Sequence, residues 1–224
     1  MEHLPVYIEI VFILTALLTL LLLYKAANFS KVIAAGALIW LALQAIIGLS
    51  GFYTVTTGPP PRFALLLFPP VIFIIILFLT KKGRATLDSF NVKTLTLLHI
   101  VRIPVELTLY WLFLYKVLPE VMTFEGRNFD ILCGITAPFI YYFGYIKNTM
   151  GKKVLIAWNI ICLILLANIV ITAVTSAPFG VQKAGEALPG FALFYFPFIW
   201  LPCFVVPAVL LAHLVNLRRL VKTV

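Results

Sequence analysis

Seven apolar stretches run along the chain, and charged residues separate each stretch from the next. Each stretch is continuously apolar and about as long as the ~20-residue helix that crosses a hydrocarbon core of about 30 Å. Transmembrane barrel strands would alternate between apolar and polar positions instead. The pattern therefore predicts an all-α membrane protein with seven spans, at residues 5–24, 32–53, 63–80, 95–118, 129–146, 154–175 and 191–215.

The connections between these stretches are short, and the longest lie around residues 80–94, 119–128 and 176–190. None of them has room for a folded soluble domain. Residues 1–224 are therefore interpreted as a single transmembrane domain whose function lies in the membrane or at its faces. No small-residue cleavage site follows the first span, so we expect that span to be retained.

The composition supports the membrane interpretation. Hydrophobic residues make up 63% of the 224-residue chain, charged residues only 11%, and the mean hydropathy is +1.10. Such a sequence has too little charge to cover a soluble protein of this size. The composition excludes a soluble enzyme, a disordered protein and a nucleic-acid-binding module. The net charge of +9 fits the enrichment of Lys and Arg in the cytoplasmic loops of membrane proteins.

Lysine and arginine are distributed unequally between the two faces that seven spans define. Twelve lie on one face, four lie on the other, and Arg102 lies within a span. Because cytoplasmic loops are rich in Lys and Arg, the bias predicts an outer N-terminus and an inner C-terminus. We expect the protein to lie in the cytoplasmic membrane of a bacterium. The inner cations are Lys25, Lys31, Lys81, Lys82, Arg84, Lys93, Lys147, Lys152, Lys153, Arg218, Arg219 and Lys222; the outer ones are Arg62, Lys116, Arg127 and Lys183.

Spans 3 and 7 begin with similar heptads, at residues 63–69 and 191–197, which share five of seven residues. Weaker matches link spans 1 and 5, and spans 2 and 6 both begin with Lys-Val. The order of these matches predicts two three-helix units, residues 5–80 and 129–217, joined by span 4 at 95–118. One span lies between the units, so they would share an orientation and form a 3+1+3 parallel repeat.

This plan is similar to that of sugar-efflux transporters of the three-plus-one-plus-three type, and in helix number to that of microbial rhodopsins. The resemblance does not extend to motifs. The chain contains no Pro-Gln pair, and span 7 has no lysine midway along its length to carry retinal. The sequence therefore assigns the chain to neither family.

One face of span 4 is unusually polar. It carries His99, Arg102, Glu106 and Tyr110 at spacings of three, four and four residues, which places them on one side of a helix. An ionised side chain at mid-membrane costs at least about 2.5–3.5 kcal/mol, so we expect this face to turn inward. The spacing predicts an ion pair between Arg102 and Glu106. We interpret the face as a substrate or proton site; the alternative is a purely structural pair.

His99 and His213 lie on spans 4 and 7 at nearly the same predicted depth. Two histidines level with each other are typical ligands of haem iron or of half of a metal site. No cysteine or carboxylate nearby in the sequence completes a zinc set. No cofactor is therefore predicted, and haem or metal binding by these histidines is kept as an alternative.

Two acids occupy matching positions in the repeat. Glu9 and Asp130 both lie at the outer ends of their spans, and Arg127 is close to Asp130 in the sequence. We interpret these three residues as an outer vestibule. The simpler alternative is that an acid stabilises the N-terminus of each helix.

These features favour a small permease or proton-coupled transporter that binds a polar or anionic solute at the polar face of span 4. The alternatives are a haem- or metal-binding redox protein and a receptor-like or assembly subunit. An enzyme is less favoured, because the chain has no nucleophile–histidine–acid spacing, phosphate loop or metal motif. The expected partners are the lipid bilayer and the solute, with no nucleic acid; a homo-oligomer is left open.

Overall fold

The computed structural model describes residues 4–55, 62–177 and 191–222, and these residues form helices with no strand among them. Their nine α-helices are α1 (Val6–Ala26), α2 (Lys31–Leu49), α3 (Ala64–Leu79), α4 (Lys81–Ser89), α5 (Val92–Leu98), α6 (Arg102–Leu114), α7 (Ile131–Phe139), α8 (Lys152–Ser176) and α9 (Val206–Lys222). Two π-helical segments adjoin them: Ile140–Ile146 continues α7, and Leu201–Val205 leads into α9.

Several helices are long and apolar enough to cross a membrane, as the sequence predicts. Within the described residues there are five such spans, and a sixth if α3 and α4 count as one span bent by 96°. The remaining predicted span corresponds to a shorter apolar helix, Ile131–Ile146. The five long spans are Val6–Ala26, Lys31–Leu49, Val92–Leu114, Lys152–Ser176 and Leu201–Lys222.

A sharp bend separates α3 from α4, inside the connection predicted at 80–94. The Thr80 hydroxyl accepts a hydrogen bond from the backbone N–H of Gly83 at 3.1 Å and so caps α4. A Cβ at position 83 would collide with the carbonyl oxygen of Leu77, so only glycine fits this close turn. The predicted loop therefore contains a helix of nine residues.

Spans 4 and 7 form the centre of the bundle. Half of the apolar window of Val92–Leu114 and 72% of that of Leu201–Lys222 are buried, against 17% for α2. α5 packs against α1 and α9, α6 packs against α1 and α7, and α8 packs against α9. The two most enclosed spans are therefore the ones that carry the polar residues of interest.

The last span begins and ends later than the predicted 191–215. Residues 191–200 are mostly buried but contain only a 3-10 turn at Ala192–Phe194 before the helical part begins at Leu201. Pro197 lacks the backbone N–H that a continuous helix would use, whereas Pro202 lies in the first turn of the helical part, where a missing N–H is tolerated.

The matching heptads consequently differ in local structure. Six of the seven residues at 63–69 are part of α3, which begins at Ala64. Residues 191–197, in contrast, precede the helical part of span 7. The sequence similarity is therefore not accompanied by the same local backbone structure, and the repeat stays a prediction.

Ion pairs connect α4 to the end of α9. Asp88, the one acid that the sequence places on the inner face, accepts hydrogen bonds from Nε of Arg218 at 2.9 Å and Nζ of Lys222 at 2.6 Å. These two bonds hold the pKa of the Asp88 carboxyl well below its usual range. Asn28, just after α1, donates to the carbonyl oxygen of Ser89 at 2.7 Å. The short helix α4 thus ties together the ends of two spans.

Replacing Asp88 by asparagine is expected to lower the free energy of unfolding at pH 7 by about 1 kcal/mol or less, because these ion pairs are partly exposed. A carboxyl with a depressed folded-state pKa stabilises the protein above its unfolded pKa of about 4, and this contribution is lost as the pH falls. The difference between wild type and Asp88→Asn should therefore shrink below about pH 4. Chemical unfolding in detergent micelles at pH values above and below about 4 measures this difference in stability, with Glu120→Gln as control. A difference that grows on acidification would contradict a stabilising role for the ionised Asp88.

Candidate functional site: a buried chain of polar residues

Arg102 is the centre of the site. It begins α6, midway along the span Val92–Leu114, and is only 2% exposed. Its Nη1 donates to Oδ1 of Asp130 at 2.7 Å, and its Nη2 lies 2.9 Å from Nε2 of His213. The guanidinium therefore joins span 4 to the beginning of α7 and to α9.

His213 extends this contact to α8. Its Nδ1 lies 2.8 Å from Oδ1 of Asn159, and Nδ2 of Asn159 donates to the carbonyl oxygen of Leu155 at 2.8 Å. Since the Asn159 amide oxygen is the acceptor, Nδ1 of His213 carries the proton, and Nε2 is left to accept from Arg102. The result is a buried chain, Asp130–Arg102–His213–Asn159, which we call the polar chain.

Glu106 joins the polar chain through Asn128. Nδ2 of Asn128 donates to Oε2 of Glu106 at 2.6 Å, and its Oδ1 accepts from the backbone N–H of Asp130 at 3.1 Å. All three side chains are almost fully buried. One asparagine therefore links the Glu106 carboxylate to the backbone of Asp130.

The structure corrects the predicted pairing of Arg102. The carboxylate that Arg102 binds is Asp130, not Glu106 one turn away on the same helix. The physical reason is that the connection after α6 brings in both a better-placed acid for Arg102 and a separate donor, Asn128, for Glu106. In addition, the order Arg before Glu is the weaker one for an i,i+4 pair.

Asp130 reaches the interior because the connection between α6 and α7 folds into the bundle. Leu118, Met122 and Thr123 within it are buried, and α7 begins only at Ile131. Gly134 then allows a close approach: a Cβ there would lie 2.8 Å from Cγ1 of Ile103. Part of the connection predicted at the outer face is thus buried in the core, while Glu120, Glu125 and Arg127 stay exposed.

The predicted outer vestibule is not assembled. Asp130 is 5% exposed and paired with Arg102, whereas the Arg127 side chain is exposed and Glu9 is half-buried on α1. Tyr110 is also outside the polar chain, because its ring packs on Phe124 with centroids 4.8 Å apart. Of the residues grouped with Arg102 in the sequence, Glu106 and His99 are buried near it, and Asp130, predicted in the vestibule, is its ion-pair partner.

His99 and His213 meet, but not as metal ligands. Their rings are stacked, with centroids 3.8 Å apart and planes inclined by 19°. A metal shared by two imidazoles lies in both ring planes, about 2.0–2.1 Å from each nitrogen, and stacked rings do not direct lone pairs to one point. Both nitrogens of His213 are also engaged. Within the described residues no group of three or more His, Cys, Asp or Glu could hold a metal, so the haem or metal alternative does not fit this geometry.

Several buried polar atoms in the interior of the bundle have no hydrogen-bond partner among the described residues. They include both ring nitrogens of His99 and Oδ1 of Asn216. Buried polar groups are normally hydrogen-bonded, so these atoms are available to water or a bound solute. Nδ2 of Asn216 donates to Oγ1 of Thr96 at 3.1 Å. This hydrogen bond adds a buried polar contact between α9 and α5.

Sequence reasoning missed Asn128, Thr96 and Asn216 as members of the site. Asn128 lies in a connection and carries no periodic signal. Asn216 follows His213 by three residues, so it lies on the same helix face; that spacing could have indicated it. Asn159 was visible only as a polar residue within an apolar span.

Comparison with known protein families matches residues 59–221 to the family described as a domain of unknown function (DUF8737). The matched region contains the whole polar chain together with Glu106 and Asn128. No curated protein and no solved structure matches the chain. Because the family match covers more than half of its length, the chain belongs to this family.

Proposed function

We propose that this member of the DUF8737 family is a seven-span protein of the bacterial cytoplasmic membrane, with its N-terminus outside and its C-terminus inside. Its apolar helices and the unequal distribution of Lys and Arg support this topology. We also propose that residues 5–80 and 129–217 arose by duplication. In an experimental structure in lipid, rotation about the membrane normal should superpose them; a match only after inversion would contradict the duplication.

With this topology, the protein is a proton-coupled carrier of a small polar or anionic solute. The observation that carries this proposal is the polar chain itself, in which Arg102 is held between Asp130 and His213 deep in an apolar bundle. Ionisable groups within a membrane are costly, and they commonly mark solute routes and proton relays. Arg102 supplies the fixed positive charge that an anion requires.

The contacts of Arg102 suggest how proton and solute are coupled. In the described conformation Asp130 neutralises the guanidinium at 2.7 Å. Protonation of Asp130 removes that negative charge, so Arg102 becomes free to bind an anion in its place. Release of the anion then allows Asp130 to lose its proton and close the pair again. Each cycle thus moves one proton together with one solute anion.

Backbone irregularities lie in the two spans that supply the partners of Arg102. The π-helical segment Ile140–Ile146 follows Pro138 on span 5, and the segment Leu201–Val205 contains Pro202 on span 7. Such wide turns are rare and occur frequently at functional sites. A shift at either segment would move Asp130 or His213 relative to Arg102, which supports a site that opens by helix movement.

Orientation is tested by cysteine labelling in intact cells. A membrane-impermeant maleimide should label Glu120→Cys, on the outer connection, and should leave Ser89→Cys unlabelled until the cells are lysed. The native residues Cys133, Cys162 and Cys203 are buried and provide little background. Labelling of Ser89→Cys but not of Glu120→Cys in intact cells would invert the topology.

Transport is tested in liposomes that contain the purified full chain and an internal pH dye. With the outside at pH 6 and the inside at pH 7.5, addition of phosphate, sulfate or citrate should acidify the interior for at least one of these anions. Arg102→Gln should reduce the signal to that of protein-free liposomes, because the anion loses its cationic site. Arg127→Gln removes an exposed arginine and is the matched control. No acidification with any of the three anions would contradict the proposal.

A further inference from the structure

An apolar groove of about 580 Å³ lies away from the polar chain, between α2, α3 and span 7. Its lining includes Ile33, Gly36 and Trp40 of α2, Phe73 of α3 and Phe204 of span 7, while Thr86 of α4 lies at its inner end. Its volume is within the range of about 300–1,000 Å³ that is usual for ligand sites. We refer to it as the α2–α3 groove.

The α2–α3 groove offers little to a polar ligand. The Trp40 indole N–H already donates to the carbonyl oxygen of Cys203 at 2.9 Å, and the Thr86 hydroxyl donates to that of Lys82 at 3.1 Å. The other lining side chains are apolar or are cysteine. A hydrocarbon chain is therefore the group that the walls of the groove suit best.

The groove is open along α2. A Cβ built at Gly36 meets no atom within 4 Å, and Phe73 on the opposite wall is 60% exposed. A linear chain could therefore enter from the side without displacing any described side chain. Gly36 is also the natural position at which a larger residue would fill the groove.

Two exposed lysines lie next to lining residues of the groove, at the starts of α2 and α4. Lys31 directly precedes the lining residue Val32, and Lys82 lies one helical turn before Thr86 on α4; both lysines are exposed. Basic pockets between spans on the cytoplasmic side commonly bind anionic lipid headgroups. The groove thus combines apolar walls with a positively charged end.

We propose that the α2–α3 groove binds an anionic phospholipid, with an acyl chain along the groove and the phosphate at Lys31 and Lys82. The site shares with the proposed function only the premises that the chain lies in a membrane and that the starts of α2 and α4 face the cytoplasm. It uses no residue of the polar chain, so a protein that transports no anion would still bind the lipid, and loss of the lipid site would leave the proposed proton-coupled cycle in place.

Native mass spectrometry of the purified full chain in uncharged detergent tests the proposal. Phosphatidylglycerol and phosphatidylcholine with the same palmitoyl and oleoyl chains are titrated separately, and glycerol 3-phosphate serves as the headgroup without chains. Phosphatidylglycerol should bind more tightly than phosphatidylcholine, and each of Lys31→Gln and Lys82→Gln should weaken its binding about fivefold. Glycerol 3-phosphate should not bind. The double variant Lys152→Gln/Lys153→Gln, which removes two other cations of the predicted inner face, should bind as wild type does.

The shape of the site is tested by filling it. Gly36→Phe should abolish retention of phosphatidylglycerol, whereas Gly151→Phe should not, because Gly151 is likewise an exposed glycine whose Cβ would meet no atom within 4 Å. Equal binding of the two lipids, or unchanged binding by Gly36→Phe, would overturn the proposal. A dimer that Gly36→Phe dissociates would also overturn it, because the groove would then hold a second copy of the chain.

Discussion

Replacing Asp130 by leucine is expected to lower the free energy of unfolding by about 3–5 kcal/mol, because it breaks a buried ion pair from one side. The side chains of Arg102 and Asp130 are 3% and 7% exposed, so the arginine would lose its counter-ion without gaining hydration. Chemical unfolding in detergent micelles, followed by far-ultraviolet circular dichroism, measures this difference.

The double variant Arg102→Met/Asp130→Leu should recover most of this loss, because two apolar side chains replace two charges that had to be desolvated. Recovery should be incomplete by about 1 kcal/mol, since Nε2 of His213 then loses its hydrogen-bond donor. Asp88→Leu provides the comparison with a partly exposed pair. If Asp130→Leu costs no more than Asp88→Leu, the buried pair does not hold spans 4 and 5 together.

The sequence predicted the helices and the polar face of span 4 because both depend on local spacing. Continuous apolar runs separated by charge indicate helices, and residues 99, 102 and 106 fall on one face of any helix. The partner of Arg102 could not be predicted in the same way. Asp130 lies 28 residues further along the chain, and it enters the core because part of the connection after α6 folds inward. Spacing along one helix carries no information about such a fold.

The histidines illustrate the same limit. Their similar depth could be predicted from their distances to the ends of their spans, and the rings do meet at 3.8 Å. The sequence could not predict whether the rings would stack or converge on a metal. That depends on rotamers, which are set by neighbours on other helices such as Arg102 and Asn159.

Exchanging Glu106 for glutamine is expected to reduce proton-driven anion uptake to the level of protein-free liposomes while leaving thermal stability nearly unchanged. Glutamine has almost the same shape and keeps an oxygen that accepts the hydrogen bond from Nδ2 of Asn128, now 2.6 Å from Oε2 of Glu106. It loses the negative charge and the exchangeable proton. Since Asn128 also accepts a hydrogen bond from the backbone N–H of Asp130, the substitution acts next to the carboxyl that the proposed cycle protonates.

Two measurements separate this role of Glu106 from a structural one. Glu120→Gln, at an exposed acid of the connection after α6, should retain both uptake and its pH dependence, which controls for loss of a surface negative charge. Melting temperatures of both variants in the same detergent give the structural comparison. If Glu106→Gln melts as early as Asp130→Leu yet its remaining uptake still follows the proton gradient, Glu106 supports the fold through Asn128 and takes no part in proton coupling.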